Sequence, residues 1–463
     1  MKFIVTNRGI VVLLAVAVSL LAGCFSPWKG DTGTVTLYLG NEGLLPRLSG
    51  TWPPDTDTKS RLEHTVVFSS DGRNITLSIP IGQTFIRTEL LPGYWEIALD
   101  AFLYGEHYAK GSAGADIEAG KPKHVTIVMQ QVEMDCIPIW NLDQLMAIGD
   151  ELDKKYKLVN DIITTPLTVP IGSENNAFTG TLDGNWKTID FDMKDPLPKH
   201  AGLFAKIGPG GVVKNLRLTG SIVETSGSAN DKYAGAVAGE NNGKISNVAS
   251  SVRINIGTNI MPGSIGGMAG INNENGEIRN CFGSGLVSAV NGYDAGGIAG
   301  QNQGLILNCY STGDITSING SGGGIVGRAL NGSILYCWSD GVINSNAVGG
   351  IAGYGIGQIN HCVAMNSRFV CSINTTGRIW GVNTESMAAG IVNYGRNNIN
   401  LIIPIEWVNS PSGKDGESFE MADANGEGWW KETVGWDSVW GGNSEERPWV
   451  WNSLNSRPKL WYE

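Results

Sequence analysis

A glycine-framed pentapeptide that recurs along the middle of the chain constrains the fold more than any other feature of the sequence. Its copies follow one another at steps of 31, 30, 27 and 26 residues. They are Gly235–Gly239 (GAVAG), Gly266–Gly270 (GGMAG), Gly296–Gly300 (GGIAG), Gly323–Gly327 (GGIVG) and Gly349–Gly353 (GGIAG). A period of roughly 20–50 residues is typical of repeat proteins, in which each unit stacks on the next. A phosphate-binding loop would instead need Gly-Lys-Ser/Thr before a helix.

Two further motifs recur in phase with the pentapeptide. The second is Gly243–Asn247 (GKISN), Gly276–Cys281 (GEIRNC), Gly304–Cys309 (GLILNC), Gly332–Cys337 (GSILYC) and Gly357–Cys362 (GQINHC). The third and weaker one is Gly285–Val287, Gly313–Ile315 and Gly341–Ile343. Each repeat therefore contains three short apolar segments between glycine-containing polar turns. Segments this short predict strands and not helices.

Strands that cannot bury their inner faces within one repeat predict an all-β chain built as a parallel β-helix of about six coils. Successive coils would stack at about 4.8 Å, the spacing of paired strands. Like residues then stack on like, and the predicted inner column is Val237, Met268, Ile298, Ile325 and Ile351. Glycine supplies 64 of the 463 residues, which suits the many corners that such coils need.

The pentapeptide followed by Gly-x-Ile-x-Asn-Cys resembles the GLUG motif of bacterial surface proteins. Segments 142–145, 156–162, 170–172, 178–184 and 202–204 resemble the entry that usually precedes it. The resemblance covers roughly residues 138–400. It implies a right-handed β-helix on a secreted or surface protein.

Some proteins with this motif are zinc peptidases that cleave immunoglobulin A. Their His-Glu-x-x-His motif is absent here, because no two histidines are four residues apart. The histidines are His64, His107, His124, His200 and His361. We therefore expect no metal and no cofactor.

The N-terminus is typical of an export signal. Lys2 and Arg8 accompany a short apolar run, which is shorter than the ~20 residues of a membrane-spanning helix. The run ends in Leu-Ala-Gly-Cys at Cys24, which resembles a bacterial lipobox. The resemblance implies cleavage before Cys24, palmitate-type acylation of this residue and a membrane anchor. An ordinary signal peptide is the alternative. Phe25 replaces the aspartate of inner-membrane retention and favours the outer membrane or cell surface.

The segments on either side of the repeats differ from them. Period-two alternation, as in Gly33–Leu39 and Asn74–Ile79, predicts a small antiparallel β-sandwich of prealbumin-like or immunoglobulin-like type. The tail holds eight of the 15 tryptophans, and we expect it to cover the open end of the β-helix. A carbohydrate-stacking surface is the alternative for this tail. The expected parts are a signal peptide (1–23), a lipidated tether (24–32), the sandwich (33–131), an entry cap (132–200), the β-helix (201–400) and a Trp-rich cap (401–463).

Four cysteines occupy one position of the repeat. Cys281, Cys309, Cys337 and Cys362 follow one another at steps of 28, 28 and 25 residues. We expect them to form a stacked column of small apolar side chains. Disulfides between neighbouring coils and a metal site are the alternatives. Cys136 and Cys371 have no assigned role.

The residues directly after three of these cysteines are aromatic. Phe282, Tyr310 and Trp338 should stack in one column, and alternation with inward cysteines points their rings outward. An exposed aromatic column is a candidate ligand-binding platform. The alternative is a structural stack, either self-contained or covered by the N-terminal module.

The charge balance and the residues that stack along the repeats limit the functions that this chain could have. Acidic residues outnumber basic ones, 44 against 33, and no basic run is present, so we expect no nucleic-acid partner. Carboxylates form no column along the repeats, so no catalytic residue is predicted. We expect a lipid-anchored, adhesin-like surface protein whose partner is a glycan or a host or matrix protein. The alternatives are a structural envelope or matrix component and a polysaccharide-acting β-helix enzyme.

Overall fold

The computed structural model describes most of the chain as two compact units. Its described residues are 32–38, 56–83, 85–164, 166–225, 231–257, 263–290, 293–371, 375–383, 392–401, 405–442 and 444–463. One unit ends at Asp135 and the other begins at Cys136. The predicted signal peptide and Cys24 lie outside the described residues. Among the described residues, no helix has the length and apolarity needed to cross a bilayer.

The first unit is a two-sheet sandwich with a short helix, α1 (Thr56–Lys59). Its strands are β1 (Gly33–Tyr38), β2 (Leu62–Ser70), β3 (Arg73–Ile79), β4 (Phe85–Leu90), β5 (Gly93–Leu103), β6 (Glu106–Ile117), β7 (Pro122–Val125) and β8 (Gln130–Gln131). One sheet has the order β4-β1-β7 and the other the order β3-β2-β5-β6-β8. The pairing of β1 with β7 is parallel, and all other pairings are antiparallel.

Alternation builds the sandwich core as predicted. Val35 and Leu37 of β1 face inward and pack with Phe68, Trp95 and Ile97 of the larger sheet, and all five are almost fully buried. Residues of β1 between these positions point away from the core. The outer face of the smaller sheet is therefore formed by alternate residues of β1, β4 and β7.

The second unit is a parallel β-helix of about eight turns. It contains helix α2 (Leu142–Ala147), a 3-10 turn (Ile148–Asp150) and strands β9 to β41. The strands are β9 (Ile137–Ile139), β10 (Lys155–Leu158), β11 (Ile162–Thr164), β12 (Thr181–Asp183), β13 (Thr188–Lys194), β14 (His200–Ala201), β15 (Phe204–Ile207), β16 (Val212–Glu224), β17 (Tyr233–Gly235), β18 (Ala238–Asn241), β19 (Lys244–Ser250), β20 (Arg253–Ile256), β21 (Ser264–Gly266), β22 (Ala269–Asn272), β23 (Glu277–Arg279), β24 (Phe282–Gly283), β25 (Val287–Ala289), β26 (Asp294–Gly296), β27 (Ala299–Asn302), β28 (Leu305–Leu307), β29 (Tyr310–Ser311), β30 (Ile315–Gly323), β31 (Val326–Leu335), β32 (Trp338–Ser339), β33 (Val342–Gly349), β34 (Ala352–Asn360), β35 (Cys362–Ala364), β36 (Arg368–Val370), β37 (Thr376–Gly377), β38 (Trp380–Asn383), β39 (Asn393–Arg396), β40 (Asn400–Leu401) and β41 (Glu417–Phe419).

The pentapeptide is one corner of each coil, and the coils are in register there. Gly266 pairs with Gly296, which pairs with Gly323 and then Gly349. The predicted inner column is fully buried at Val237, Met268, Ile298, Ile325 and Ile351. A Cβ atom on Gly297 would lie 2.3 Å from the Gly324 carbonyl oxygen, so the close approach of coils requires glycine. The expected all-β class, with a parallel β-helix after a small sandwich, is confirmed.

The predicted count of about six coils was too low because the entry segment already forms coils. Strand β10 pairs in parallel with β9 and β12, ahead of the first pentapeptide. Helix α2 covers the core at this end, where Leu145 and Ile148 are fully buried. Asn141 caps α2, since its side chain accepts a hydrogen bond from the Gln144 amide.

The C-terminal residues form two parts, one at the end of the β-helix and one along its side. Segment 405–419 closes the far end of the β-helix, where the Lys414 carbonyl accepts bonds from the Ile379 and Trp380 amides. Residues 420–463, here called the strap, lie along the side of the coils. The strap contains short helical turns (Asp423–Asn425, Trp429–Thr433 and Asp437–Val439) and a hairpin of β42 (Trp449–Asn452) and β43 (Arg457–Leu460).

Candidate ligand-binding sites

The four repeat cysteines lie in the interior of the β-helix. Cys281, Cys309, Cys337 and Cys362 are fully buried and carry free thiols. Burial raises the pKa of the Cys281 and Cys337 thiols far above its ordinary value, which keeps them protonated. Their sulfur atoms contact backbone carbonyls of the coils, as in Cys362 Sγ to Ile334 O at 3.5 Å. This environment suits packing and not reactivity.

The other two cysteines among the described residues also carry free thiols. Cys136 and Cys371 are partly buried, and the Cys371 sulfur accepts a bond from the Thr376 hydroxyl. Among the described residues, no group of three or more His, Cys, Asp or Glu side chains could hold a metal ion.

The three aromatic residues after the cysteines form the expected stack. Phe282 pairs with Tyr310, and Tyr310 with Trp338, on consecutive coils. The ring centroids of Phe282 and Tyr310 are 5.0 Å apart with an interplanar angle of 5°. Tyr310 and Trp338 are 4.5 Å apart at 6°. In-register parallel pairing therefore holds these rings face to face.

The strap covers most of this aromatic column. Tyr310 and Trp338 are only 6% and 3% exposed, and their cluster includes Trp430, Trp436 and Trp449 of the strap. These two rings are unavailable to a ligand in this arrangement, which corrects the hypothesis of an open platform. The cover is the C-terminal strap, whose own indoles are buried by the same contact. Phe282 remains partly exposed beside an open pocket of about 330 Å³.

Polar contacts fix the strap on the turns between strands. The indole N–H of Trp436 donates to the His361 carbonyl at 2.8 Å, and that of Trp449 donates to Asn308 Oδ1 at 3.3 Å. The Tyr462 hydroxyl donates to the Asn280 carbonyl at 2.7 Å. The strap is therefore positioned by specific hydrogen bonds as well as by apolar burial.

The sandwich presents a second aromatic group, which is open. Tyr38 of β1 and Phe85 of β4 are direct cross-strand partners, 52% and 49% exposed. The Tyr38 ring lies 6.3 Å from Phe85 and 6.1 Å from the exposed His124 of β7, centroid to centroid. These three residues and Arg87 form what we call the aromatic face.

Polar groups border the aromatic face. Arg87 is exposed and pairs with Thr36 across the strands, and its guanidinium makes no hydrogen bond or ion pair with any described residue. Thr34 and Thr36 project from β1 on the same side as Tyr38. Together these side chains line an open depression of about 360 Å³. The arrangement can stack on a flat ligand and pair with its polar edge.

The aromatic face was not recognisable in the sequence. Strand β4, which supplies Phe85 and Arg87, was not predicted, so the cross-strand neighbours of Tyr38 were unknown. The outward positions of β1 were readable from its alternation, and an aromatic residue at the last of them was the available signal. Pairing of β1 with both β4 and β7 joins Tyr38 to residues far apart in the chain.

Comparisons with known proteins agree with the repeat pattern. The GLUG motif family matches residues 291–316. A Gly-rich membrane protein of Evansella cellulosilytica is 35% identical over 105 residues, which are 21% of this chain and 12% of that protein. Halomucin of Haloquadratum walsbyi is 33% identical over 139 residues, 28% of this chain and 1% of halomucin. The matched part is thus a small fraction of each relative.

One solved structure that the comparison matches to this chain is an IgA1 protease, with a TM-score of 0.39 and 15% sequence identity. The match covers 79% of this chain and 31% of that one. The chain therefore contains a GLUG motif at residues 291–316, within a parallel β-helix whose stacked coils repeat the same sequence pattern.

Proposed function

We propose that this protein is a non-catalytic binding protein of the cell surface, anchored by acylated Cys24, which binds saccharides through the aromatic face. The observation that carries the proposal is the pair of half-exposed rings, Tyr38 and Phe85, beside Arg87, whose guanidinium has no partner among the described residues. Exposed aromatic groups that are rimmed by polar side chains mark contact sites. The lipobox-like Leu-Ala-Gly-Cys supports the anchor. Relatives described as a membrane protein and a halomucin support the surface location.

The chemistry of the aromatic face suits a sugar. One side of a pyranose ring presents C–H groups, which pack on the face of an aromatic ring, while its hydroxyls lie at the edge. Tyr38 and Phe85 supply the rings, and the hydroxyls of Thr34 and Thr36 lie beside them. Arg87 adds a charged donor that pairs with a carboxylate or a hydroxyl. We infer that acidic saccharides bind better than neutral ones.

Two alternatives make different predictions at this face. A polysaccharide-cleaving enzyme needs two carboxyl groups about 5–10 Å apart. The outward side of β4 also carries Glu89, whose carboxylate accepts a hydrogen bond from the Thr32 hydroxyl at 3.1 Å. A structural envelope component would need no ligand, and the half-exposed rings would then serve no purpose there.

The binding test uses residues 25–463 on an array of neutral and acidic glycans. Tyr38→Ala and Phe85→Ala should each weaken binding about tenfold, because a stacked ring is worth about 0.5–1.5 kcal/mol beyond its buried area. Arg87→Gln should weaken only the acidic ligands. Tyr94→Ala is the matched control, since Tyr94 lies on the other sheet and is 57% exposed. Binding that survives in both ring variants would refute the site, and turnover of the glycan would favour the enzyme.

The anchor is tested separately in cells. Cys24→Ser should abolish incorporation of labelled palmitate and release the protein from the membrane fraction. A Cys136→Ser variant controls for the loss of a thiol. Unchanged labelling in Cys24→Ser would refute the anchor and leave an ordinary signal peptide.

A further inference from the structure

The aromatic column stops at Phe282, although the coils continue. On the next coil the position that pairs with Phe282 is Ala249, and Ala249 in turn pairs with Arg217. In-register parallel strands point their side chains the same way. The column therefore contains Trp338, Tyr310, Phe282, a methyl group and then a guanidinium.

The methyl group leaves space for one ring. Paired strands are about 4.8 Å apart, so Phe282 and Arg217 are separated by roughly 9.6 Å along the column. A planar group midway would lie about 4.8 Å from each, close to the 4.5 and 5.0 Å ring spacings already present. The open pocket of about 330 Å³ lies at this position and is lined by Phe282, Ala249 and Arg217. We call it the slot.

The walls of the slot are held in place. Tyr462 lines it, and its hydroxyl is fixed by the carbonyls of Asn280 and Val248. Trp186 packs on Tyr462 at 4.9 Å, and its carbonyl accepts a bond from Arg217 Nη1 at 2.6 Å. Both the ring wall and the guanidinium are therefore oriented before a ligand enters, which reduces the ordering that binding requires.

We propose that the slot binds a planar aromatic ring, which enters between Phe282 and Arg217 as the fourth ring of the column. A flat π system meets both surfaces well: it stacks in parallel on Phe282, and the Arg217 guanidinium lies over its other face. The ring belongs to a free aryl compound or to an aromatic side chain of a peptide. The slot is in the β-helix, and the proposal does not depend on the saccharide site of the sandwich.

Titration of residues 25–463 with three probes tests the proposal, read by saturation-transfer NMR and calorimetry. Indole-3-acetate represents a free aryl compound, N-acetyltryptophanamide an aromatic side chain, and methyl glucoside a sugar. Ala249→Trp fills the slot with a ring of the chain itself and should weaken aryl binding at least tenfold. Arg217→Gln should weaken it severalfold. Ile163→Trp, at an exposed position of β11, is the matched control and should bind like wild type.

The outcomes are distinct. Binding of either aryl probe that is lost in Ala249→Trp, with an unchanged or higher melting temperature, supports the proposal and names the source of the ring. The proposal is wrong if neither aryl probe binds, if Ala249→Trp binds as well as wild type, or if only the glucoside binds. If Ala249→Trp fails to fold, aryl binding by Arg217→Gln tests the proposal instead, and binding as strong as in wild type would contradict it.

Discussion

One turn residue in each coil carries an unusual backbone conformation. Asn247, Asn280 and Asn308 have φ values of 55°, 51° and 54°, in the left-handed region. Asparagine tolerates this region better than other side chains with a Cβ atom. The amides also bond to one another along the stack: Asn280 Nδ2 donates to Asn247 Oδ1 at 3.2 Å, and Asn308 Nδ2 donates to Asn280 Oδ1 at 3.3 Å. Asparagine therefore serves this motif in two ways: it tolerates the left-handed backbone conformation, and its side-chain amide bonds to the coils above and below.

Asn280 separates these two contributions. Asn280→Ala should destabilise the protein by about 2–4 kcal/mol, because it strains the turn and removes buried hydrogen bonds. One of these bonds goes to the Glu445 carbonyl of the strap at 3.0 Å. Asn280→Gly relieves only the strain and should be less destabilising by about 1–2 kcal/mol. Urea unfolding measures both. Equal losses of stability in the two variants would show that the backbone conformation contributes nothing. A glycine variant as stable as wild type would show that the side-chain hydrogen bonds contribute nothing.

At the level of elements, the last copy of the pentapeptide shows what the sequence does and does not reveal. Residues 377–381 (GRIWG) occupy the same corner, with Ile379 continuing the fully buried inner column. At the preceding corner the second glycine is required, since a Cβ on Gly350 would lie 2.1 Å from the Arg378 carbonyl oxygen. At the last described corner this position is occupied by Arg378, which is fully buried. Arg378 fits there and donates to the Gly395 and Gly416 carbonyls.

Periodicity predicted the coils because every interior repeat has the same neighbours. It could not predict positions whose neighbours lie outside the repeats. The tail's tryptophans showed that a large apolar area must be buried, but not whether it covers the end or the side. The outward rings of Tyr310 and Trp338 were the complementary signal. The rings of the aromatic column and the tryptophans of the strap bury one another by packing together.

The strap offers a matched pair of tryptophans on one strand. Trp449 is fully buried and lies 4.7 Å from the Trp436 ring, whereas Trp451, two residues along β42, is partly exposed. Trp449→Ala should loosen the strap by about 3–5 kcal/mol, the usual range for a buried Trp. Trp451→Ala should have a clearly smaller effect. Hydrogen exchange of residues 420–463 measures this, and equal exchange in the two variants would contradict the packing described for the strap.

At the scale of the whole molecule, the two units have separate hydrophobic cores. Each unit has a buried histidine whose pKa desolvation lowers, His64 in the sandwich and His200 in the β-helix, and the shift at His64 is the larger. His64 of β2 is 7% exposed, and desolvation lowers its pKa to about 4. In the unfolded chain His64 is protonated below about pH 6.5, whereas in the folded sandwich it is protonated only below about pH 4. Between these values the unfolded state holds more protons, so stability falls as the pH falls.

Calorimetry on residues 25–463 should therefore show two transitions with different responses to acid. The difference of about 2.5 pKa units corresponds to a loss of about 3 kcal/mol by pH 4. For a domain of about 100 residues this lowers the melting temperature by roughly 10–20 °C. His64→Leu should remove most of that shift from the sandwich transition and leave the β-helix transition unchanged. A single transition would show that the sandwich does not unfold as its own unit. An acid-induced shift that persists in His64→Leu would show that His64 is not the acid-sensitive group of the sandwich.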